Sequence, residues 1–230
     1  KTDIEKDELV AETETLRSVL EVDCSRIETP EQFHEYLEGI PAGTSIALAL
    51  NTKGDHQLDL WLLGLALCAK QESGVYLDLS HASSQSTELF AEVKKMLEST
   101  ANPKIFHGLK KAVQLLSKIG IELQGIGSDV MLAAHMTDPL GRRYELDYLM
   151  GRKLNMSRKH VGSTIKSPVE SQLSMFEEAE NDGYIQHCEN ASIILRLHQQ
   201  FDAQLKQTGM GRSFRNIEIP LACTLAHLEL

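Results

Sequence analysis

The sequence predicts an α/β fold in which a mixed central sheet is flanked by helices. Two observations carry this expectation. Three strand-like apolar runs crowd into residues 45–79, separated by glycine-containing turns. Amphipathic helical segments lie before and after them, and from residue 128 onward the chain reads as mostly helical. Strands first, with helices between and after, bury one another as layers of sheet and helix.

Residues 1–22 are acidic and lack strong apolar periodicity, so a linker or loosely held N-terminal helix is expected there. A short strand is expected near 25–28. Thr29 then supplies an N-cap side chain, Pro30 suits the first helical position and Gln32 completes a capping box. Phe33, Tyr36, Leu37 and Ile40 mark one face of that helix, which Gly39 and Pro41 end. Strands follow at about 45–51, 60–69 and 75–79, split by turns at Lys53-Gly54-Asp55 and Glu72-Ser73-Gly74. Trp61 opens the second strand and is expected in the core. A helix over 86–99 aligns Leu89, Val93, Met96 and Leu97, and Lys104 to Phe106 reads as a short strand. The next helix, 108–119, turns Leu109, Val113, Leu116 and Ile119 inward and ends on Gly120. Further helices are expected at 129–137, with Ser128 and Asp129 as caps, and at 144–150. Two more are expected at 168–181, entered through Ser167 and Pro168, and at 184–207. The basic, aperiodic stretch 151–167 reads as a mobile loop. A final helix begins near Glu218, where Ile217, Leu221, Leu225 and Leu228 form an apolar stripe.

At 230 residues, 42% of them hydrophobic, the chain can build a full core without disulfide or metal support. No run of about 18 apolar residues exists, so no membrane association is expected, and the sequence opens without a charged-then-apolar leader. Cys24, Cys68, Cys188 and Cys223 form no C-x-x-C pair and read as reduced thiols of a cytoplasmic protein. Neither they nor the nine histidines show zinc-ligand spacing. The net charge of −10 is concentrated at the start, because residues 1–40 hold twelve acidic and four basic side chains. Residues 141–166 reverse the balance with Arg142, Arg143, Arg152, Lys153, Arg158, Lys159 and Lys166. Such a stretch suits phosphate contacts as well as a solvated loop.

Three segments carry a family resemblance: Gly120 to Pro139, Leu62-Leu63-Gly64-Leu65-Ala66-Leu67, and Asn216-Ile217-Glu218-Ile219-Pro220-Leu221. In order and spacing they resemble the proofreading 3′→5′ exonuclease domain of bacterial family A DNA polymerase I, over about residues 24–230. The resemblance implies a ribonuclease H-like, DnaQ-type exonuclease fold. It divides the chain into an acidic segment 1–22, an exonuclease-like domain 23–212 and the start of a polymerase domain at 213–230. The family's first motif sets an Asp and a Glu two residues apart on a strand; Ala49 and Asn51 stand at those positions. Ala112 stands where the second motif has its Asp, and Gln186 and Asn190 where the third has its Tyr and Asp.

Two-metal hydrolysis uses divalent cations about 3.5–4 Å apart, held by anionic oxygen ligands. Alanine offers no ligand, and asparagine offers only a neutral carbonyl. The resemblance therefore implies a catalytically inactive domain without metal or other cofactor, supporting the polymerase domain of its parent chain. Weak DNA contact is expected through Lys110, Lys111, Arg152, Lys153, Arg158 and Lys159. The alternatives are an active exonuclease with displaced ligands and a weak single-strand binding module. Glu189, Asp182, Asp55, Asp59 and Asp129 form no evident substitute cluster, since Glu189 points roughly 100° from Asn190 on a helix. An aromatic content of 5% gives little base stacking for the binding module.

Overall fold

The computed structural model describes residues 18–54, 61–80, 88–158 and 171–230, with side chains in the last segment described from Gly183 onward. Six strands form the central sheet: β2 (Asp23–Ile27), β3 (Ile46–Lys53), β4 (Trp61–Lys70), β5 (Ser73–Asp78), β6 (Lys104–Phe106) and β7 (Ile126–Asp129). Their spatial order is β2-β5-β4-β3-β6-β7. The β5-β4-β3 meander is antiparallel, while β2, β6 and β7 add in parallel, so the sheet is mixed as expected. The antiparallel turns join neighbours directly; the parallel additions need the crossover helices between them.

Local signals explain most helices. In α1 (Pro30–Glu38) the Thr29 side chain accepts from the Gln32 amide, and the Gln32 side chain accepts from the Thr29 amide, closing the expected capping box. Helix α2 (Glu88–Glu98) buries Phe90, Val93, Met96 and Leu97. Helix α3 (Leu109–Lys118) is followed by Gly120 at φ 75°, the left-handed position at which glycine carries no Cβ penalty. Helix α4 (Val130–Thr137) starts on Asp129, whose carboxylate accepts from the Met131 amide.

Besides β7, which the sequence did not announce, three elements depart from expectation. Ser18–Leu20 is not linker or helix but a strand, β1, paired in parallel with β8 (Met156–Arg158) in a second, two-stranded sheet. Leu20 is buried and anchors it. Residues 150–158, expected in part as loop, continue the short helix α5 (Leu146–Leu149) through a wide π turn, Met150–Leu154, into β8. Asn155, the one non-glycine residue with positive φ among those described, turns the chain there, and its carbonyl accepts from the Ser18 amide. Third, the helices expected at 168–181 and 184–207 are one helix, α6 (Ser171–Gln207), running through Gly183. The expected cap at Ser167 and Pro168 lies outside the described residues.

Helix α6 packs across β3, β4 and β5 and buries Cys188, Ala191, Ile194, Leu195, Leu197 and Phe201. The chain ends in a helical turn at Gly211–Ser213, a second π turn at Phe214–Glu218, and α7 (Ile219–Leu228), which lies on α3. Trp61, expected in the core, is instead 70% exposed at the start of β4. No helix among the described residues is long and apolar enough to cross a membrane.

Candidate functional site

Strand β3, the first turn of α3 and the middle of α6 meet at a cleft of about 340 Å³. Ala49 contributes from β3, Ala112 from α3, and Gln186 and Asn190 from successive turns of one α6 face. His107, at the end of β6, also lines it, with Nε2 2.7 Å from the Tyr144 carbonyl oxygen. Four of the five sequence-aligned positions thus converge. Asn51 does not join them; it lines a second cleft with Arg26, Asp78 and Tyr184. There its amide donates to the Tyr76 hydroxyl at 2.8 Å. Gly64 on the neighbouring strand permits that placement, because a Cβ at residue 64 would collide with the Tyr76 hydroxyl.

Arg158 enters the first cleft from the end of β8. Its Nη1 donates to Glu189 Oε2 at 2.6 Å and its Nη2 to Asn190 Oδ1 at 2.6 Å. Nε donates to Asp147 Oδ1 at 2.9 Å. The guanidinium side chain is only 20% exposed, and charge-assisted bonds of this length in a partly desolvated site are the strong kind. Glu189 and Asn190 therefore share one cation, despite the angle expected between their side chains on the helix. The same charge acts on His187, whose pKa is lowered first by burial and then by Arg158. His187 stacks on Tyr76 at 6.1 Å between ring centroids.

The donor set fits a pair of divalent cations poorly. Ala49 and Ala112 carry no ligand atom, Asn190 Oδ1 is occupied by Arg158, and Asn51 faces elsewhere. Among the described residues no three His, Cys, Asp or Glu side chains are grouped to hold a metal ion. Of the candidate substitute acids, Asp129 is fully engaged as a cap. Its carboxylate accepts from the amides of Gly108 at 3.1 Å, Leu109 at 2.7 Å and Met131 at 2.8 Å. Asp55, Asp59 and the side chain of Asp182 lie outside the described residues.

The basic residues scatter. Lys111 is exposed and lines the cleft. Lys110 instead pairs with Glu229 at 2.7 Å, lowering the pKa of that carboxyl. Arg152 is exposed on the π turn and Lys153 sits 3.9 Å from Asp138; neither lines the cleft. Arg158 is turned inward onto protein partners, and Lys159 lies outside the described residues. What the sequence concealed is the pairing of Arg158 with Asp147, Glu189 and Asn190, which depends on a strand pairing that leaves no local signal.

The sequence pattern of the 3′-5′ exonuclease found in family A DNA polymerases matches residues 24–167. The chain belongs to this 3′-5′ exonuclease family. Among its relatives is DNA polymerase I of Mycobacterium tuberculosis, 28% identical over 167 residues, covering 72% of this chain. The chain spans 18% of the length of that relative. By structure it is similar to the POL domain of Pol1 from M. smegmatis in complex with DNA primer-template and dNTP. That likeness has a TM-score of 0.71 at 23% identity, over 89% of this chain and 31% of that one. It is also similar to Brucella melitensis NrnC with bound Mg2+, with a TM-score of 0.63 at 13% identity, over 91% and 93% of the two chains. The exonuclease fold is thus the ribonuclease H-like, DnaQ-type arrangement of a mixed sheet flanked by helices, as expected.

Proposed function

We propose that this exonuclease-family domain is vestigial: it does not hydrolyse DNA, and it braces a polymerase domain within a cytoplasmic DNA polymerase I acting in replication and repair. The observation that carries this reading is Arg158. A guanidinium bonded to Asn190 and Glu189 sits in the cleft lined by Ala49 and Ala112, where catalysis would need concentrated anionic ligands for dications. One fixed positive charge partly offsets the Glu189 and Asp147 carboxylates, and it activates no water. The polymerase role rests on the relatives named DNA polymerase I and on the apolar face that α7 leaves open. DNA contact is weak and limited to phosphates, with Lys111 the exposed cation at the cleft, Arg158 engaged by its protein partners, and Lys110, Arg152, Lys153 and Lys159 secondary.

The test is incubation of the repurified protein with single-stranded and mismatched primer DNA in magnesium or manganese. No metal-dependent release of nucleotides is expected from this domain. EDTA-sensitive release that survives repurification, and that Asn190→Ala abolishes, would overturn the reading.

A further inference from the structure

Helix α6 meets the edge strand β2 through two thiols. Cys24 of β2 stands in register with Gly74 of β5. A Cβ on Gly74 would lie 3.0 Å from the Cys188 Cβ and 3.4 Å from its Cα, so the bare glycine is what lets the helix settle there. Neighbouring strands lie about 4.8 Å apart, which sets Cys24 beside the same helical turn. Its sulfur is 4.0 Å from the Ile185 carbonyl oxygen, one turn before Cys188. Each of the two thiols shifts the pKa of the other. Cys188 is buried, and Cys24 beside it together with that burial pushes its pKa up. Cys24 is only partly buried, its thiol donates to the Val22 carbonyl oxygen at 3.6 Å, and Cys188 beside it lowers its pKa. Cys68 is pushed up to about 12, chiefly by burial, and Cys223, raised likewise by burial, lies on α7.

We propose that Cys24 and Cys188 form a reversible oxidation site, at which a peroxide closes an intramolecular disulfide between β2 and α6. The Cys24 thiolate attacks one peroxide oxygen and breaks the O–O bond, giving a sulfenic acid and hydroxide. Hydroxide takes the Cys188 proton, and the Cys188 sulfur then displaces hydroxide from the sulfenic sulfur, forming the S–S bond. In sum two thiols lose two electrons and two protons, and hydrogen peroxide becomes two waters. The partly exposed thiol, which a peroxide can reach, is the attacking one, and the buried thiol resolves it. The product ties β2 to the turn of α6 that carries Gln186 and Asn190, whether or not the cleft acts on DNA.

The experiment is non-reducing peptide mapping of the native protein after brief exposure to hydrogen peroxide, with free thiols blocked on denaturation. The expected result is a peptide pair linked through Cys24 and Cys188 within one chain, abolished by dithiothreitol. Amide exchange over Asp23–Ile27 should slow roughly tenfold or more in the oxidised form. Cys24→Ser should lose the linked pair, and Cys223→Ser should keep it. Recovery of Cys24 as sulfinic acid without a link, as a free alkylated thiol, or joined to a second chain would overturn the proposal.

Discussion

Asp129 is 1% exposed, and its two oxygens receive three backbone N–H groups, from the starts of α3 and α4. Replacing it with alanine strands all three donors at once. The expected cost is about 2–4 kcal/mol, well above a single exposed cap, and urea unfolding of Asp129→Ala would measure it. Arg158 makes a different kind of contribution, through charge. In Arg158→Gln the cation beside His187 is gone, so the His187 imidazole should titrate at a higher pH than in the parent, as followed by NMR; an unchanged titration would mean that burial alone sets it. His187 and His198 both hold pKa values below 6.5 in the fold, chiefly through burial. Unfolded, each takes up a proton more readily, so stability is full above about 6.5 and is lost as pH falls through the lowered folded values. Unfolding free energy should therefore drop on acidification from neutral pH, and less steeply in His187→Gln.

Strand β1 is three residues long, yet it holds β8 and so sets where Arg158 lies. A variant beginning at Val22 removes it. Amide exchange at Met156–Arg158 should then rise to that of an unpaired segment, with loss of about 1.5–3 kcal/mol from the buried Leu20. Elements with a local signature were legible in advance: the Thr29–Gln32 capping box, the α3 stripe ending on Gly120, and the Asp129 cap. Elements made by distant pairing were not. β1 joins β8 across more than a hundred residues, and β7 reads Ile-Gly-Ser-Asp, without alternation. Gly183 is a poor helix former and suggested a break, but α6 gains enough from packing on the sheet to continue through it. Trp61 misled because an apolar run marks a strand without fixing which of its residues are buried. At the cleft the same division holds: four positions picked out by the family resemblance, Ala49, Ala112, Gln186 and Asn190, line it, while Arg158 came from outside every motif.

At the scale of the whole molecule, the stripe on the last helix faces solvent. Ile217, Leu221, Leu225 and Leu228 are 58%, 48%, 41% and 77% exposed, while Ala222 and Ala226 pack inward on the other side. Contiguous apolar surface of this kind tends to find a partner. The isolated chain should self-associate in sedimentation experiments, and Leu221→Glu with Leu225→Glu should return it to monomer without lowering its melting temperature. The Arg158 network has a consequence for chelation. In a cleft of unscreened carboxylates, withdrawing cations leaves like charges in repulsion, and a ligand that binds only the native state takes its stabilisation with it when removed. Here the counter-charge is covalently part of the chain and cannot be dialysed away. Melting curves recorded in EDTA and in millimolar magnesium should therefore superimpose.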